Sequence, residues 1–279
     1  MFTLASLPVG TTFYPDIAYV PHGHERHTLD IYIPPTKGPY PLVIWIHGGA
    51  FRMGSKSDSV PLAMLNRGYA IVAINYRLSQ HAIFPAQIED CKSAVRWLRA
   101  HAGVYDFDNK RFIAWGESAG AHLAAMLGTC GHIRELDVGT HLDQSSRVQA
   151  VIDFFGPTDF LQMDAQRIPD GMIHDAADSP ESQLIGGPIQ QHEAAVKKAN
   201  PITHIDGFAA PFLVIHGDAD PLVPHGQSVL LVEALQRYHI PVTLHTIIGG
   251  GHGGFDTPLI PLLVETFLQR TFSRSPHTH

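Results

Sequence analysis

The sequence predicts an α/β fold in which helices lie on both faces of a mostly parallel sheet and a cap is inserted over the strand ends. Short, continuously apolar runs alternate with segments of helical periodicity, and this alternation breaks once. Leu42–Ile46 is a run typical of a strand buried on both faces. Runs of the same kind are Ala70–Ile74, Phe112–Trp115, Val148–Phe155, Phe212–Ile215 and Val242–Ile248.

The N-terminal part has a different pattern. Ile17–Val20 and Leu29–Ile33 alternate between apolar and polar residues, which predicts strands with one buried face. Pro21 and the Pro34-Pro35 pair end them, because proline cannot continue a strand ladder.

Helical spacing separates the later runs. It relates Ile88, Cys91, Val95 and Leu98, and near the C-terminus Leu259, Leu262, Leu263, Thr266 and Phe267. Strands that alternate with helices imply parallel pairing through right-handed crossovers. In such sheets ligands bind beyond the carboxyl ends of the strands, which is where functional residues are expected.

The alternation of apolar runs and helical segments is interrupted at about residues 157–210. Apolar residues there are mixed with polar ones without a regular period. We predict a cap insertion at about 157–210 within a single domain of residues 1–279, a length that is ample for a sizeable core.

Composition excludes several classes of protein. The chain is 44% hydrophobic and 16% charged, a globular balance rather than a disordered one. Its formal net charge is −7 and no basic stripe is present, so neither a nucleic-acid partner nor an anionic membrane surface is expected. The apolar runs are too short to span a bilayer. Met1–Pro8 has neither a cationic nor a long apolar region, which favours a cytoplasmic location.

No metal or cofactor is expected. His22, His24 and His27 cluster near the N-terminus, but their spacing is not that of a zinc site. A small molecule is the expected partner, and a homodimer is compatible with the sequence.

A nucleophile motif follows one of the buried runs. Gly116-Glu117-Ser118-Ala119-Gly120 comes directly after Phe112–Trp115 and precedes the helix-like stretch His122–Leu127. A strand, GxSxG and helix in this order are typical of a sharp turn that exposes a nucleophilic serine. The N–H group of Ala119 is then placed to face an oxyanion.

A second small-residue loop, His47–Phe51, follows Leu42–Ile46. Its backbone N–H groups are candidates for oxyanion donors, first those of Gly49 and Ala50, with Gly48 as a further candidate.

The base and its orienting acid are expected later in the chain. His252 lies in a glycine-rich loop after the last strand, which allows its imidazole to reach Ser118. Asp218 and Asp220 both follow the strand Phe212–Ile215, and spacing does not choose between them; Asp159 is a third candidate.

These motifs together resemble the α/β-hydrolase fold, specifically the hormone-sensitive-lipase-like esterases and, more narrowly, the bacterial bifunctional feruloyl and acetyl-xylan esterases. The resemblance spans about residues 14–270. It is carried by His47–Phe51, Asn75–Leu78, Phe84–Asp90, Trp115–Gly120, Phe155–Asp159, His216–Pro224 and Gly251–Phe255.

The resemblance implies a serine esterase without a cofactor that acts on short-chain acyl esters, including acetylated or feruloylated carbohydrates. It implies Ser118 as nucleophile, His252 as base and Asp220 as acid, with Gly49, Ala50 and Ala119 as oxyanion donors. The substrate pocket is expected to be lined by Phe51, Phe154, Phe155, Phe160 and Met163, although in a strand Phe154 and Phe155 point in opposite directions. The alternatives are an arylformamidase-like amidase or peptidase on the same triad, and a non-catalytic binding protein.

Overall fold

A computed structural model describes residues 7–255 and 257–273. These residues contain an eight-stranded sheet in the order β1-β2-β4-β3-β5-β6-β7-β8. The strands are β1 (Thr12–Ala18), β2 (Thr28–Ile33), β3 (Tyr40–Ile46), β4 (Ala70–Ile74), β5 (Phe107–Glu117), β6 (Ala150–Phe154), β7 (Phe212–Gly217) and β8 (Val242–Ile247). The helices are α1 (Ala86–Ala100), α2 (Ala102–Tyr105), α3 (Ala119–Thr129), α4 (Met163–Gln166), α5 (Pro180–Ile185), α6 (Glu193–Ala199), α7 (Gly226–Arg237) and α8 (Leu259–Ser273).

The predicted sheet type is confirmed. Strands β3 to β8 pair in parallel, whereas β1 pairs antiparallel with β2, and β2 with β4. The parallel strands end at one edge, so the loops that follow β3, β5, β7 and β8 meet there. This edge holds all the motifs of the sequence analysis that follow a strand.

The core lies on both faces of the sheet because each strand alternates its side chains. On β3, Leu42 and Ile44 pack in the larger cluster, with residues of α1, α3 and α7. Val43 and Trp45 face the other way and pack with residues of α8, such as Val264. The continuous apolar runs reflect this two-sided burial.

Strand boundaries differ from the predicted ones where a strand is exposed. β1 begins at Thr12 rather than Ile17, because it lies at the edge of the sheet and carries exposed residues around a bulge between Tyr14 and Ile17. β5 begins at Phe107, five residues before its apolar run, because the strand also includes the polar and partly exposed residues Asp108–Arg111.

The segment between β6 and β7, which contains the predicted cap, consists of short helices and 3₁₀ turns rather than a regular layer. We call residues 157–210 the cap segment. The N–H groups of Thr158 and Asp159 donate to Oε1 of the buried Gln227 at 2.7 Å, which fixes the start of the cap segment on α7. The N–H of Met172 donates to the carbonyl of Pro221, next to Asp220.

In the part of the chain that the structure describes, no helix has the length and apolar character needed to cross a bilayer. Residues 1–6 lie outside it, so the expectation about a leader segment and a cytoplasmic location stays a prediction.

Strand β6 carries a buried carboxyl group at Asp153, which is 1% exposed. Its Oδ1 accepts a hydrogen bond from the N–H of Gly156 at 2.9 Å. Burial raises the pKa of Asp153 to about 6, although that hydrogen bond and the nearby His216 act in the opposite direction.

Asp153 is therefore expected to make stability depend on pH. From about pH 4 to 6 the folded protein keeps a proton that the unfolded chain releases, so the free energy of unfolding falls as pH rises. Asp153→Asn keeps the acceptor without the charge. Urea unfolding measures the free energy of unfolding of both proteins. The difference in favour of the variant should grow through this pH window to on the order of 3 kcal/mol. Asp178→Asn, at an exposed position, is the control; an advantage independent of pH would contradict the assignment.

Candidate active site

Ser118 lies on a strained turn between β5 and α3. Its φ is 53° and its ψ is −123°, a conformation that costs energy in any residue with a side chain. The turn is tight because a Cβ at Gly116 would collide with the backbone of Gly120, and one at Gly120 with the carbonyl of Ile46. The two glycines of GxSxG thus let the serine hydroxyl point out of the sheet.

Ser118, His252 and Asp220 are joined by hydrogen bonds. His252 Nε2 lies 3.0 Å from Ser118 Oγ, and His252 Nδ1 lies 2.7 Å from Asp220 Oδ2. With Nδ1–H donating to the carboxylate, Nε2 of the neutral ring is free to accept the serine proton. The three side chains come from the loops after β5, β7 and β8.

The structure separates the competing aspartates by where each carboxylate points. Asp218 is exposed and accepts the N–H of Gly249 at 2.6 Å, which ties two loops together. Asp159 caps the 3₁₀ turn Phe160–Gln162 and accepts the side-chain amide of Asn200. Asp220 alone of the three contacts His252.

Asp220 has donors on both oxygens. Oδ1 accepts the N–H groups of Leu222 and Val223, at 2.8 and 3.0 Å. Oδ2 accepts from His252 and also from His216 Nε2 at 3.1 Å. Burial acts to raise the pKa of Asp220, but the hydrogen bonds from the two histidines outweigh it and hold the pKa well below its usual range. The carboxylate therefore stays ionised.

The predicted oxyanion loop also has an unusual backbone. Gly49, Ala50 and Phe51 have φ values of 109°, 54° and 59°. At Gly49 a Cβ would collide with the carbonyl of Met53, so glycine is required there. Among residues 7–255 and 257–273, the N–H groups of Gly49 and Ala50 have no hydrogen-bond acceptor, which leaves both groups available to a ligand oxygen.

Arg26, which sequence reasoning missed, forms hydrogen bonds that fix the position of this loop. Its Nη2 donates to His47 Nε2 and to the carbonyl of Gly54, each at 3.0 Å. Burial lowers the pKa of His47 to about 4, so the ring is neutral. Since Nε2 accepts from Arg26, the proton is on Nδ1, which donates to the carbonyl of Gly48 at 2.7 Å. A lone arginine 21 residues before the loop carries no sequence signal of this role.

Two of the five predicted pocket residues lie beside Ser118. Phe51 and Phe155 line the cavities there, and the Phe155 ring is 4.6 Å from the ring of His252. Phe154 instead packs on Trp115 on the other face of the sheet, as strand alternation requires.

Phe160 and Met163 do not line the substrate pocket, where they were predicted to lie. Both are fully buried in the larger core cluster, and neither belongs to the lining of the cavities beside Ser118. Phe160 stacks on His122 of α3 at 5.0 Å, so it joins the cap segment to the core.

Two cavities flank Ser118. The inner recess, of about 60 Å³, is closed by Phe51 and by Met172, His174, Pro180 and Glu181 of the cap segment. The outer groove, of about 300 Å³, is lined by the oxyanion loop, Met53, Glu117 and Phe155. The cap residues of the inner recess follow no motif or period, so the sequence alone did not reveal them.

One group of possible metal ligands occurs in the described residues. Ligand atoms of His24, Glu25 and His81 lie within 4.8 Å of one another near the protein surface. Nδ1 of His24 accepts the N–H of Arg26, and Nδ1 of His81 accepts that of Leu78. In a neutral ring the proton is then on Nε2. A protonated Nε2 has no free lone pair and does not bind a metal ion.

The chain is similar to known esterases. It matches the model of the BD-FAE family over residues 29–235. It is 30% identical to the probable carboxylic ester hydrolase LipM of Mycobacterium tuberculosis over 92% of this chain and 61% of that protein. It is 31% identical to the esterase LipQ of the same organism, over 86% of this chain and 57% of that protein. It thus spans 57% to 61% of the length of these two relatives.

Solved structures show the same fold. A truncated carbohydrate esterase from gut microbiota superimposes with a TM-score of 0.85 and 34% identity, over 94% of this chain and 96% of that one. A bifunctional GH43-CE protein of Bacteroides eggerthii gives a TM-score of 0.83 and 36% identity, over 93% of this chain and 38% of that one. The sheet order, the crossovers and the family match agree: this chain has the α/β-hydrolase fold and belongs to the BD-FAE family.

Proposed function

We propose that this protein is a serine carboxylic-ester hydrolase. The observation that carries the proposal is the chain of hydrogen bonds from Asp220 through His252 to Ser118, beside the unpartnered N–H groups of Gly49 and Ala50. Such a chain activates a serine hydroxyl, and such donors stabilise the negative charge that develops on an ester carbonyl. The esterase names of LipM and LipQ support the same reaction class.

In this mechanism His252 removes the proton of Ser118 as Oγ attacks the ester carbonyl. The carbonyl oxygen becomes an oxyanion that accepts the N–H groups of Gly49, Ala50 and Ala119. The tetrahedral intermediate breaks its bond to the alcohol oxygen, which takes the proton from His252 and leaves an acyl-enzyme. Water then repeats the sequence and releases the acid. The carboxylate of Asp220 fixes the ring orientation and stabilises the imidazolium.

The substrate class we propose is a small ester of a short acyl group, in particular an acetylated or feruloylated carbohydrate. The carbohydrate esterase among the similar structures supports it. The unequal cavities support the acetylated substrates in particular, because the inner recess has room for a short acyl group only, whereas a feruloyl group requires the larger and more open outer groove. A panel of esters of rising acyl length, acetylated xylan fragments and methyl ferulate tests it.

Ser118→Ala is expected to lower kcat/KM for ethyl acetate by about 10⁴-fold or more, because no nucleophile remains. A fluorophosphonate probe should label the wild type at Ser118 and leave the variant unlabelled. A wild type that is not labelled would instead favour a non-catalytic binding protein. Faster turnover of an amide than of the matched ester would favour the amidase alternative.

Asp220→Asn is expected to lower kcat on the order of 10³- to 10⁴-fold, because the amide does not stabilise the imidazolium. Asp218→Asn should cost far less, since Asp218 is exposed and its carboxylate accepts the N–H of Gly249 rather than a hydrogen bond from His252. Steady-state kinetics of the two variants compare them directly. A larger loss in Asp218→Asn would show that the acid is assigned to the wrong residue.

Arg26→Met is expected to lower kcat about ten- to a hundred-fold with little change in KM. It removes the hydrogen bonds that fix His47 and Gly54, and oxyanion donors contribute mainly in the transition state. Arg67→Met removes an exposed arginine paired with Glu265 and is the control. A rise in KM alone, with kcat retained, would contradict a positioning role for Arg26.

A further inference from the structure

The wall that the cap segment contributes to the inner recess is apolar apart from one pair of side chains. His174 and Glu181 are 1% and 4% exposed, and His174 Nδ1 lies 3.0 Å from Glu181 Oε2. The other ring nitrogen, Nε2, is buried and has no hydrogen-bond partner among the described residues. Both residues line the recess together with Ser118 and His252.

The pair is not the only set of hydrogen bonds that holds this part of the cap segment among the described residues. The backbone there is held separately by Asp164, whose Oδ1 accepts the N–H of His174 at 2.7 Å and whose Oδ2 accepts that of Asp175 at 3.1 Å. The N–H of Met172 donates to the carbonyl of Pro221. Apolar side chains would fill the wall at least as well as a buried ionisable pair.

The protonation state of His174 determines which kind of group can form a hydrogen bond with Nε2. Burial acts to lower its pKa, but the hydrogen bond to Glu181 and the charge of that carboxylate outweigh it, so the pKa is raised above 6.5. The carbonyl of Leu222 adds to this without reaching hydrogen-bond geometry at Nε2. Nδ1–H donates to Glu181 in both states, so Nε2 accepts when the ring is neutral and donates when it is charged. A hydroxyl group satisfies both states, because it donates and accepts.

We propose that the inner recess binds a short acyl group that carries a hydroxyl, and that His174 Nε2 forms a hydrogen bond with this hydroxyl. Among the short-chain esters proposed above, those of short hydroxy acids are then the preferred substrates. This inference rests on the proposed function and adds a specificity-determining residue to it. We place the acyl group in the inner recess because of its size. The recess of about 60 Å³ takes the smaller part of the ester, and the groove of about 300 Å³ takes the alcohol.

Three small esters test the assignment: ethyl acetate, ethyl glycolate with a hydroxyl on the acyl group, and 2-hydroxyethyl acetate with a hydroxyl on the alcohol. For each enzyme the ratio of kcat/KM for a hydroxylated ester to that for ethyl acetate is measured. Comparing these ratios between variants cancels the intrinsic reactivity of the esters.

Two variants have opposite expected results. His174→Asn places an amide nitrogen where Nδ1 was, which keeps a donor for Glu181 but removes Nε2. It should lower the glycolate ratio about ten-fold, the effect of one hydrogen bond, through KM rather than kcat. His174→Gln places its amide near the Nε2 position and should retain most of the ratio. His192→Asn, at an exposed position in the same segment where Nδ1 donates to the carbonyl of Pro188, is the matched control.

The result that overturns the assignment is a glycolate ratio that is unchanged in His174→Asn or lowered equally in His174→Gln. A drop confined to the 2-hydroxyethyl acetate ratio would overturn the acyl assignment. An equal loss on all three esters would show that His174 supports only the fold. If the wild type hydrolyses none of the three esters, the proposed function itself fails, an outcome distinct from an active enzyme with an unchanged ratio.

Discussion

A buried, ionised carboxylate has to be matched by donors, and Asp220 collects four of them: two backbone N–H groups and the rings of His216 and His252. These bonds do more than keep the charge in place. They close the turn after β7 and orient His252 towards Ser118. The next residue, Pro221, accepts the N–H of Met172, which joins this turn to the cap segment. The geometry of the site therefore depends on one carboxylate whose pKa is held far below its usual range.

Backbone strain is also present around the same point. Ala50, Phe51, Ser118 and Phe155 all have positive φ, although none is glycine. Each such conformation persists only where the surrounding structure determines it. Here the parallel strands and the two-sided core supply that constraint, and Arg26 and His47 add a buried hydrogen-bonded support under the oxyanion loop. The rigid sheet thus holds Ser118 and the free N–H groups in fixed relative positions.

The two cavities beside Ser118 arise from different parts of the chain. The outer groove is built from the strand-end loops, whereas the inner recess is closed by the cap segment. On the proposed assignment of the acyl group to the inner recess, changes in the cap segment alter the acyl specificity without moving Ser118, His252 or Asp220. The buried pair of His174 and Glu181 lies where such a change would act directly on a bound acyl group.

The sequence by itself determined the sheet, the order of its strands along the chain and the placing of Ser118 and His252. Two-sided burial leaves continuous apolar runs, and sharp turns need small residues, so both are visible locally. The spacing of the residues left Asp218 and Asp220 open, and only the family resemblance implied Asp220. The tertiary structure shows that Asp220 is the one that contacts His252, since two residues of one turn differ in where their side chains point. It also decided that Arg26 supports the oxyanion loop, that Phe160 and Met163 fill the core, and that His174 faces the inner recess. These are contacts between residues distant in the chain, and no local period or spacing encodes them.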